Sequence, residues 1–171
     1  MKVIVAIDQS RYNRQVLDAV LYASWPKDTS FKVITVVEPL QWQAQRDLNF
    51  ESNSVEWQAM AKEVCAKRQA QAHAILQTAR HELESAVPTA NVHVELAEGR
   101  PGEEIVRAAG EWMADKIVVG AHGTAPNRLL GRVPQAVARE ACCTVQIVRL
   151  KEIPVDSPPQ KFKGIAASKG R

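Results

Sequence analysis

The chain has 171 residues, of which 46% are hydrophobic, and its formal net charge is +3. This length and composition suit one folded domain with its own core and exclude an intrinsically disordered chain. The small positive excess does not indicate nucleic-acid binding, and no apolar run approaches the roughly 20 residues that cross a bilayer.

The cysteine content and the first residues predict a cytoplasmic protein. Cys65, Cys142 and Cys143 form no C-x-x-C motif and no metal-ligand spacing. We therefore expect a reducing compartment, no structural metal, and cysteines that are buried as small apolar side chains. The apolar stretch at residues 2–7 is too short for a secretory signal and lacks a small-residue cleavage site.

Apolar runs near the beginning of the chain predict two strands around one helix. Val3 to Ile7 and Phe31 to Val37 are rich in β-branched residues, which is typical of strands buried on both faces of a parallel sheet. Between them, Ser10 is the predicted N-cap of a helix. Trp25 and Pro26 are predicted to end that helix, because proline disfavours helical geometry in the residue before it.

Residues 40–86 divide into an irregular part and a helical part. Residues 40–53 show no clean hydrophobic period and predict a surface excursion. Residues 54–86 are rich in Ala, Gln, Lys, Arg and Glu and predict one long helix. His73 and His81 on this helix are eight positions apart, too far for one metal ion, so we interpret them as solvated or packing histidines.

A third strand and a third helix follow. Asn91 to Leu96 predicts the strand, and the helix begins near Pro101 and ends near Trp112. Glu103 and Glu104 lie in the predicted first turn, where carboxylates complement the helix dipole. We therefore assign these two carboxylates a structural role rather than a catalytic one.

The last third of the folded part predicts a strand, a glycine-bearing loop, a helix and a final strand. Ile117 to Val119 is an apolar run that ends at Gly120, and Val133 to Glu140 predicts the helix. Thr144 to Val148 predicts the fifth strand. Its half-polar alternation is typical of a sheet edge or a subunit contact.

The alternation of strands and helices predicts a doubly wound α/β domain with five parallel strands. This domain is expected to span residues 1–150, and residues 151–171 are predicted to be a disordered, mildly basic tail. If the first strand is central, ligands bind beyond the carboxyl ends of strands one and four, at the switch point. This arrangement places Asp8, Val36 and the segment from Gly120 to Gly123 around one crevice.

Gly120, Gly123 and Gly131 mark the loop between the fourth strand and the next helix. Such a loop holds phosphate in many α/β proteins, because glycines allow close backbone approach and the helix start offers free N–H groups. The alternative is a tight strand-to-helix turn without a ligand. Asp8 has two interpretations as well, since it either contacts a nucleoside or caps the following helix together with Ser10.

Four segments of the chain resemble, in order, those of the universal stress protein family. They are KVIVAIDQS, ITVVEP, GRPGEEIVRAA, and DKIVVGAHG with LLGRVPQAVAREACCTVQIV. The resemblance covers about residues 2–150. It implies a flavodoxin-like or Rossmann-like sheet of strand order 3-2-1-4-5, a homodimer through the fifth strands (Thr144–Val148) and, in one branch of the family, bound ATP.

The resemblance also implies a set of ligand-binding residues. In the ATP-binding branch, the positions matching Asp8 and Val36 hold the adenosine, and the phosphates lie on a loop of pattern G-x2-G-x9-G-[ST]. The nucleotide-binding residues implied for this chain are Asp8, Val36, Gly120, His122, Gly123, Gly131, Arg132 and Val133. The implied ligand is ATP or another adenine nucleotide, with or without Mg²⁺, and folding does not require it.

The loop departs from the family pattern in three ways. Seven residues rather than nine separate Gly123 from Gly131, and Arg132 and Pro134 stand where hydroxyl side chains are expected. Each lost charge-assisted hydrogen bond costs about 1.5–3 kcal/mol, which predicts weaker phosphate binding. Arg132 either replaces the hydroxyls through its guanidinium fork or is a solvated arginine at a helix start.

Three functions follow from these observations. The first is a cytoplasmic stress-response module, a dimeric regulator that binds an adenine nucleotide. The alternative is the same fold without nucleotide binding, which acts through its dimer surface and an unidentified protein partner. The third is a slow ATPase, which the sequence disfavours because no general base or metal-binding carboxylate pair stands near the loop. We predict no catalytic residue, no metal site, and neither a nucleic-acid nor a membrane partner.

Overall fold

The computed structural model describes residues 1–10, 12–40, 55–121 and 130–149. Residues 41–53 of the excursion predicted at 40–53, and the predicted tail at 151–171, lie outside them. The strands of the described part are β1 (Lys2–Ala6), β2 (Ser30–Val37), β3 (Asn91–Glu98), β4 (Lys116–Gly120) and β5 (Thr144–Val148). Its helices are α1 (Asn13–Leu21), α2 (Val55–Ala86), α3 (Pro101–Trp112) and α4 (Arg132–Glu140).

The strands form one parallel sheet of order β3-β2-β1-β4-β5. The predicted doubly wound fold and its strand order are therefore confirmed, with β1 in the centre and the switch point between β1 and β4. Val3 pairs with Phe31 of β2 on one side and with Lys116 of β4 on the other. β3 extends to Glu98, two residues beyond its predicted end at Leu96.

Helices cover both faces of the sheet, and the alternation of side chains along β1 shows the two cores. Val3 and Val5 pack in the core that α1 and α2 cover. Ile4 and Ala6 pack in the core that α3 and α4 cover. Because the central strands are buried on both faces, their sequences are continuous apolar runs rather than alternating ones. Fully burying such a side chain contributes about 1.5–3 kcal/mol.

The predicted boundaries of α1 are wrong at both ends. Tyr12, not Ser10, occupies the N-cap position. The Ser10 hydroxyl instead donates to Asp8 Oδ1 at 2.6 Å and accepts the Tyr12 N–H at 3.2 Å, so it closes the turn before the helix. The helix ends at Leu21, before Trp25. The Trp25 indole N–H donates to the Val20 carbonyl at 2.8 Å, which satisfies a carbonyl of the last turn.

The prediction of buried cysteines is also wrong. Cys142 is exposed, whereas Cys65 and Cys143 are half-buried. Cys142 and Cys143 lie in the turn between α4 and β5, where the chain leaves the core. Burial raises the pKa of the Cys143 thiol, and the neighbouring Cys142 and Asp115 raise it further. Within the described ranges, no helix is long and apolar enough to cross a membrane.

An ionic contact joins α1 to α2. Arg14 donates to both carboxylate oxygens of Glu82, at 2.8 and 3.0 Å, and contacts Asp18 Oδ1 at 2.6 Å. The Glu82 side chain is only 12% exposed. Burial raises the pKa of the Glu82 carboxyl above 4.5, and Arg14 opposes this effect only in part.

We expect stability to depend on pH through Glu82. The pKa of the Glu82 carboxyl is higher in the folded protein than in the unfolded chain. At a pH between these two pKa values, the folded state therefore binds more protons than the unfolded state. This contribution to the free energy of unfolding therefore falls as the pH rises from 4.5 through the raised pKa. Urea denaturation at a series of pH values measures this effect. The free energy of unfolding of the wild type minus that of Glu82→Gln should fall over this interval. A difference that rises with pH contradicts the prediction.

Candidate functional site

A cavity of about 200 Å³ lies at the switch point, where the carboxyl ends of β1, β2 and β4 meet the beginnings of α3 and α4. Its wall is mainly apolar and includes Ile34, Ile105 and Val119. Six of the eight predicted ligand-binding residues line it, and they are Asp8, Val36, Gly120, Gly131, Arg132 and Val133. The other two, His122 and Gly123, lie outside the described residues.

The Asp8 carboxylate is held in place by the turn that follows it. Its Oδ1 accepts the Ser10 N–H at 3.1 Å and the Ser10 hydroxyl at 2.6 Å. Asp8 does not cap α1, because Tyr12 occupies the N-cap position. In the described part of the chain Oδ2 has no partner, which leaves an oriented acceptor on the cavity wall.

Val36 offers backbone groups to the same cavity. The last bond of the β1–β2 ladder joins the Ile7 N–H to the Ile34 carbonyl at 3.0 Å. The Ile7 carbonyl accepts the Thr35 hydroxyl at 3.1 Å instead of the next amide of β2. Because backbone groups alternate in direction along a strand, the Val36 N–H and C=O point past the end of β1. They provide one donor and one acceptor side by side.

Two backbone hydrogen bonds fix the ends of the segment between β4 and α4. The Gly131 N–H donates to the Ala121 carbonyl at 2.7 Å, and the Ala121 N–H donates to the Val148 carbonyl of β5 at 2.8 Å. The amide of Gly131 is thus already used within the chain. A ligand can approach this glycine closely but cannot take its N–H without breaking that bond.

The first turn of α4 supplies the free donors. Arg132 and Val133 are its first two residues, and such N–H groups have no intrahelical acceptor. Pro134, the third residue, has no N–H. The Arg132 guanidinium has no hydrogen-bond or ion-pair partner among the residues that the structure describes. Within the described part of the chain, two amides and one guanidinium are therefore available to an anion at this end of the cavity.

A second, open cavity of about 620 Å³ lies between α3 and α4, and we call it the α3–α4 cleft. It shares Pro101, Arg132 and Val133 with the first cavity. Its charged side chains are three arginines and three glutamates, namely Arg100, Arg132, Arg139, Glu38, Glu103 and Glu140. The sequence did not predict this cleft, because its walls come from segments far apart in the chain. They are the residue after β2, the beginning of α3 and both ends of α4.

Tyr12 is a further cavity residue that the sequence did not assign. It is 3% exposed and lines the cavity beside Val16, one helical turn farther along the chain. The available signal was its position two residues after Ser10, the predicted N-cap of the helix. No group of three or more potential metal-ligating side chains was found in the described segments.

Comparison with known proteins supports the resemblance seen in the sequence. Residues 1–149 match the model of the universal stress protein family. Among solved structures, universal stress protein UspA from Lactobacillus plantarum has a TM-score of 0.71 at 19% identity, over 87% of this chain and 97% of that one. A universal stress protein in complex with cAMP has a TM-score of 0.54 at 24% identity, over 87% and 96%. A universal stress protein family protein from Arabidopsis thaliana with AMP bound has a TM-score of 0.57 at 15% identity, over 87% of this chain and 91% of that one.

The contact between α3 and α4 that shapes the cleft predicts opposite effects of two glycine substitutions in α3. A Cβ on Gly102 would lie 2.8 Å from the Ala136 Cβ, whereas a Cβ on Gly110 would meet no atom within 4 Å. Gly102→Ala should lower the free energy of unfolding by about 1–2 kcal/mol through overpacking. Gly110→Ala, the matched control, should raise it by about 0.5–1 kcal/mol, because glycine is unfavourable in helices. Urea denaturation measures both, and equal effects would contradict the prediction.

Proposed function

Because the chain belongs to the universal stress protein family, we propose that it is a cytoplasmic stress-response regulator that binds an adenine nucleotide. The observation that carries the proposal is the cavity at the switch point. There the Asp8 carboxylate and the Val36 backbone face an apolar wall. A base needs an apolar slot with a few placed polar groups, and a ribose needs an acceptor for its hydroxyls.

In the proposed complex each group of the nucleotide has a partner. The base lies against the apolar wall and bonds to the N–H and C=O of Val36. Asp8 Oδ2 accepts hydrogen bonds from the ribose hydroxyls, since Ser10 already holds Oδ1. The phosphate nearest the ribose lies at the first turn of α4, where the Arg132 guanidinium and two free amides supply positive charge. Two proteins with the same fold, one in complex with cAMP and one with AMP bound, support an adenine nucleotide as the ligand.

Asp8→Asn tests the proposal directly. Asparagine keeps the shape but loses the charge, so two hydrogen bonds from ribose become weaker. We expect a loss of about 1.5–3 kcal/mol, or roughly 10- to 100-fold in the Kd for AMP. Isothermal titration calorimetry measures it, after a denatured sample has been checked for carried-over nucleotide.

The matched control is Asp28→Asn, the same change at an exposed aspartate whose φ of 60° asparagine tolerates. It should leave the Kd for AMP unchanged. If the wild-type protein binds no AMP at millimolar concentration and released no nucleotide on denaturation, the proposed function is wrong. If Asp8→Asn binds as well as wild type, the role of Asp8 is wrong.

A second proposal concerns the homodimer. β5 is an edge strand, and its only partner within the described residues is β4. Ile147 on this edge is 36% exposed, although it is a large apolar residue. Unpaired N–H and C=O groups beside an exposed isoleucine favour pairing with a second β5. This surface serves the alternative function equally well, since a protein that acts through its dimer needs no nucleotide.

Ile147→Lys should disrupt this dimer. A charged side chain on the edge strand is a known means of preventing strand pairing, so we expect a monomeric mass at micromolar concentration. Light scattering after size-exclusion chromatography measures the mass. Tyr22→Lys is the control, because Tyr22 is 75% exposed at the end of α1 and should not affect the dimer. A wild-type protein that is monomeric under these conditions would rule out the proposed dimer.

A further inference from the structure

We propose that the ligand of this site is a nucleoside diphosphate whose terminal phosphate carries a polyhydroxylated group, such as a sugar, and that this group occupies the α3–α4 cleft. The inference rests on the proposed nucleotide site and extends it. It names the class of nucleotide and a second binding region that the sequence did not predict.

The first reason is that the two cavities adjoin each other at the first turn of α4. They share Pro101, Arg132 and Val133, so a ligand at the first turn of α4 touches both. The inner cavity measures about 200 Å³ and the cleft about 620 Å³. Small-molecule sites usually have volumes of about 300–1,000 Å³, so the inner cavity alone is small and the two together are typical.

The second reason is that the free donors would hold the phosphate beside the cleft. The Gly131 amide donates to the Ala121 carbonyl and is not available. The free amides of the described rim belong to Arg132 and Val133, which also line the cleft. A phosphate held by these amides and by the Arg132 guanidinium lies at the junction of the two cavities. The next group of the ligand then enters the cleft.

The third reason is the charge of the cleft. Glu103 pairs with Arg100 at 3.0 Å, and Glu140 pairs with Arg139 at 2.5 Å. When these ion pairs are formed, few cationic side chains other than Arg132 remain in the cleft to bind a triphosphate tail. The carboxylates of the cleft also repel any phosphate beyond the one that Arg132 binds. A neutral group with many hydroxyls fits this lining, because hydroxyls donate to carboxylates and accept from guanidinium groups, and paired carboxylates keep free lone pairs.

Calorimetric titration of the full-length protein with AMP, ADP, ATP and ADP-ribose tests the inference. ADP-ribose should bind at least about tenfold more tightly than ADP, because one or two additional hydrogen bonds provide a gain in affinity of this size. ADP and ATP should bind with similar affinity. If ADP-ribose gains nothing over ADP, or if ATP binds more tightly than ADP-ribose, the inference is overturned while nucleotide binding stands. If none of the four binds, the proposed function itself fails.

Glu103→Ala locates the second group. Glu103 lines the cleft but not the inner cavity, so the variant should bind ADP-ribose about tenfold more weakly and ADP unchanged. Glu111→Ala is the matched control, since Glu111 is an exposed glutamate at the other end of α3 and should leave both affinities unchanged. An equal loss for ADP and ADP-ribose, or no loss for either, overturns the assignment of the cleft.

Discussion

The candidate site depends on one hydrogen bond, from the Thr35 hydroxyl to the Ile7 carbonyl. Thr35 is 1% exposed, and its hydroxyl takes the acceptor that the next amide of β2 would use in a continued ladder. A buried hydroxyl without a partner is costly, so this bond also satisfies Thr35 itself. The ladder between β1 and β2 stops here, and among the described residues no backbone group pairs with the Val36 N–H and C=O at the cavity. The Val36 C=O and N–H thus face the cavity as acceptor and donor, although β2 contains no bulge or break at this point.

The first turn of α4 shows which groups remain to bind the proposed anion although the loop before it is shortened. Arginine at a helix start is unfavourable, because its charge meets the positive end of the helix dipole. Pro134 in the same turn costs little, since its missing N–H would have had no intrahelical acceptor. An anion at this point would attract the Arg132 guanidinium, which offsets the repulsion by the helix dipole, and would also accept from the amides of Arg132 and Val133. The placement of Arg132 is therefore easier to explain with an anionic ligand than without one.

The sequence predicts the sheet well, because burial on both faces makes β1, β2 and β4 continuous apolar runs that few other structures produce. The part of the site that lies on strand ends follows from this sheet, and so Asp8, Val36 and Gly120 were predicted together. The helix boundaries depend on individual side-chain contacts that residue propensities do not contain, such as the hydrogen bond from the Trp25 indole N–H to the Val20 carbonyl. The α3–α4 cleft was missed for the same reason, since residues as distant as Glu38 and Glu140 form its walls.

The proposed ligand site and the proposed dimer surface are joined by the backbone itself. Ala121, which follows β4 at the cavity, donates to the Val148 carbonyl of β5 and accepts from Gly131 at the start of α4. One residue thus connects the segment beside the ligand to the edge strand through two hydrogen bonds of 2.7 and 2.8 Å. A ligand influences association only as far as it binds the monomer and the dimer with different affinity. Since the phosphate would lie beside the Gly131–Ala121 bond, pairing of β5 in the dimer and binding at Arg132 act on the same short stretch of backbone. In the proposed complex, this link is a route by which a bound nucleotide would alter the proposed dimer.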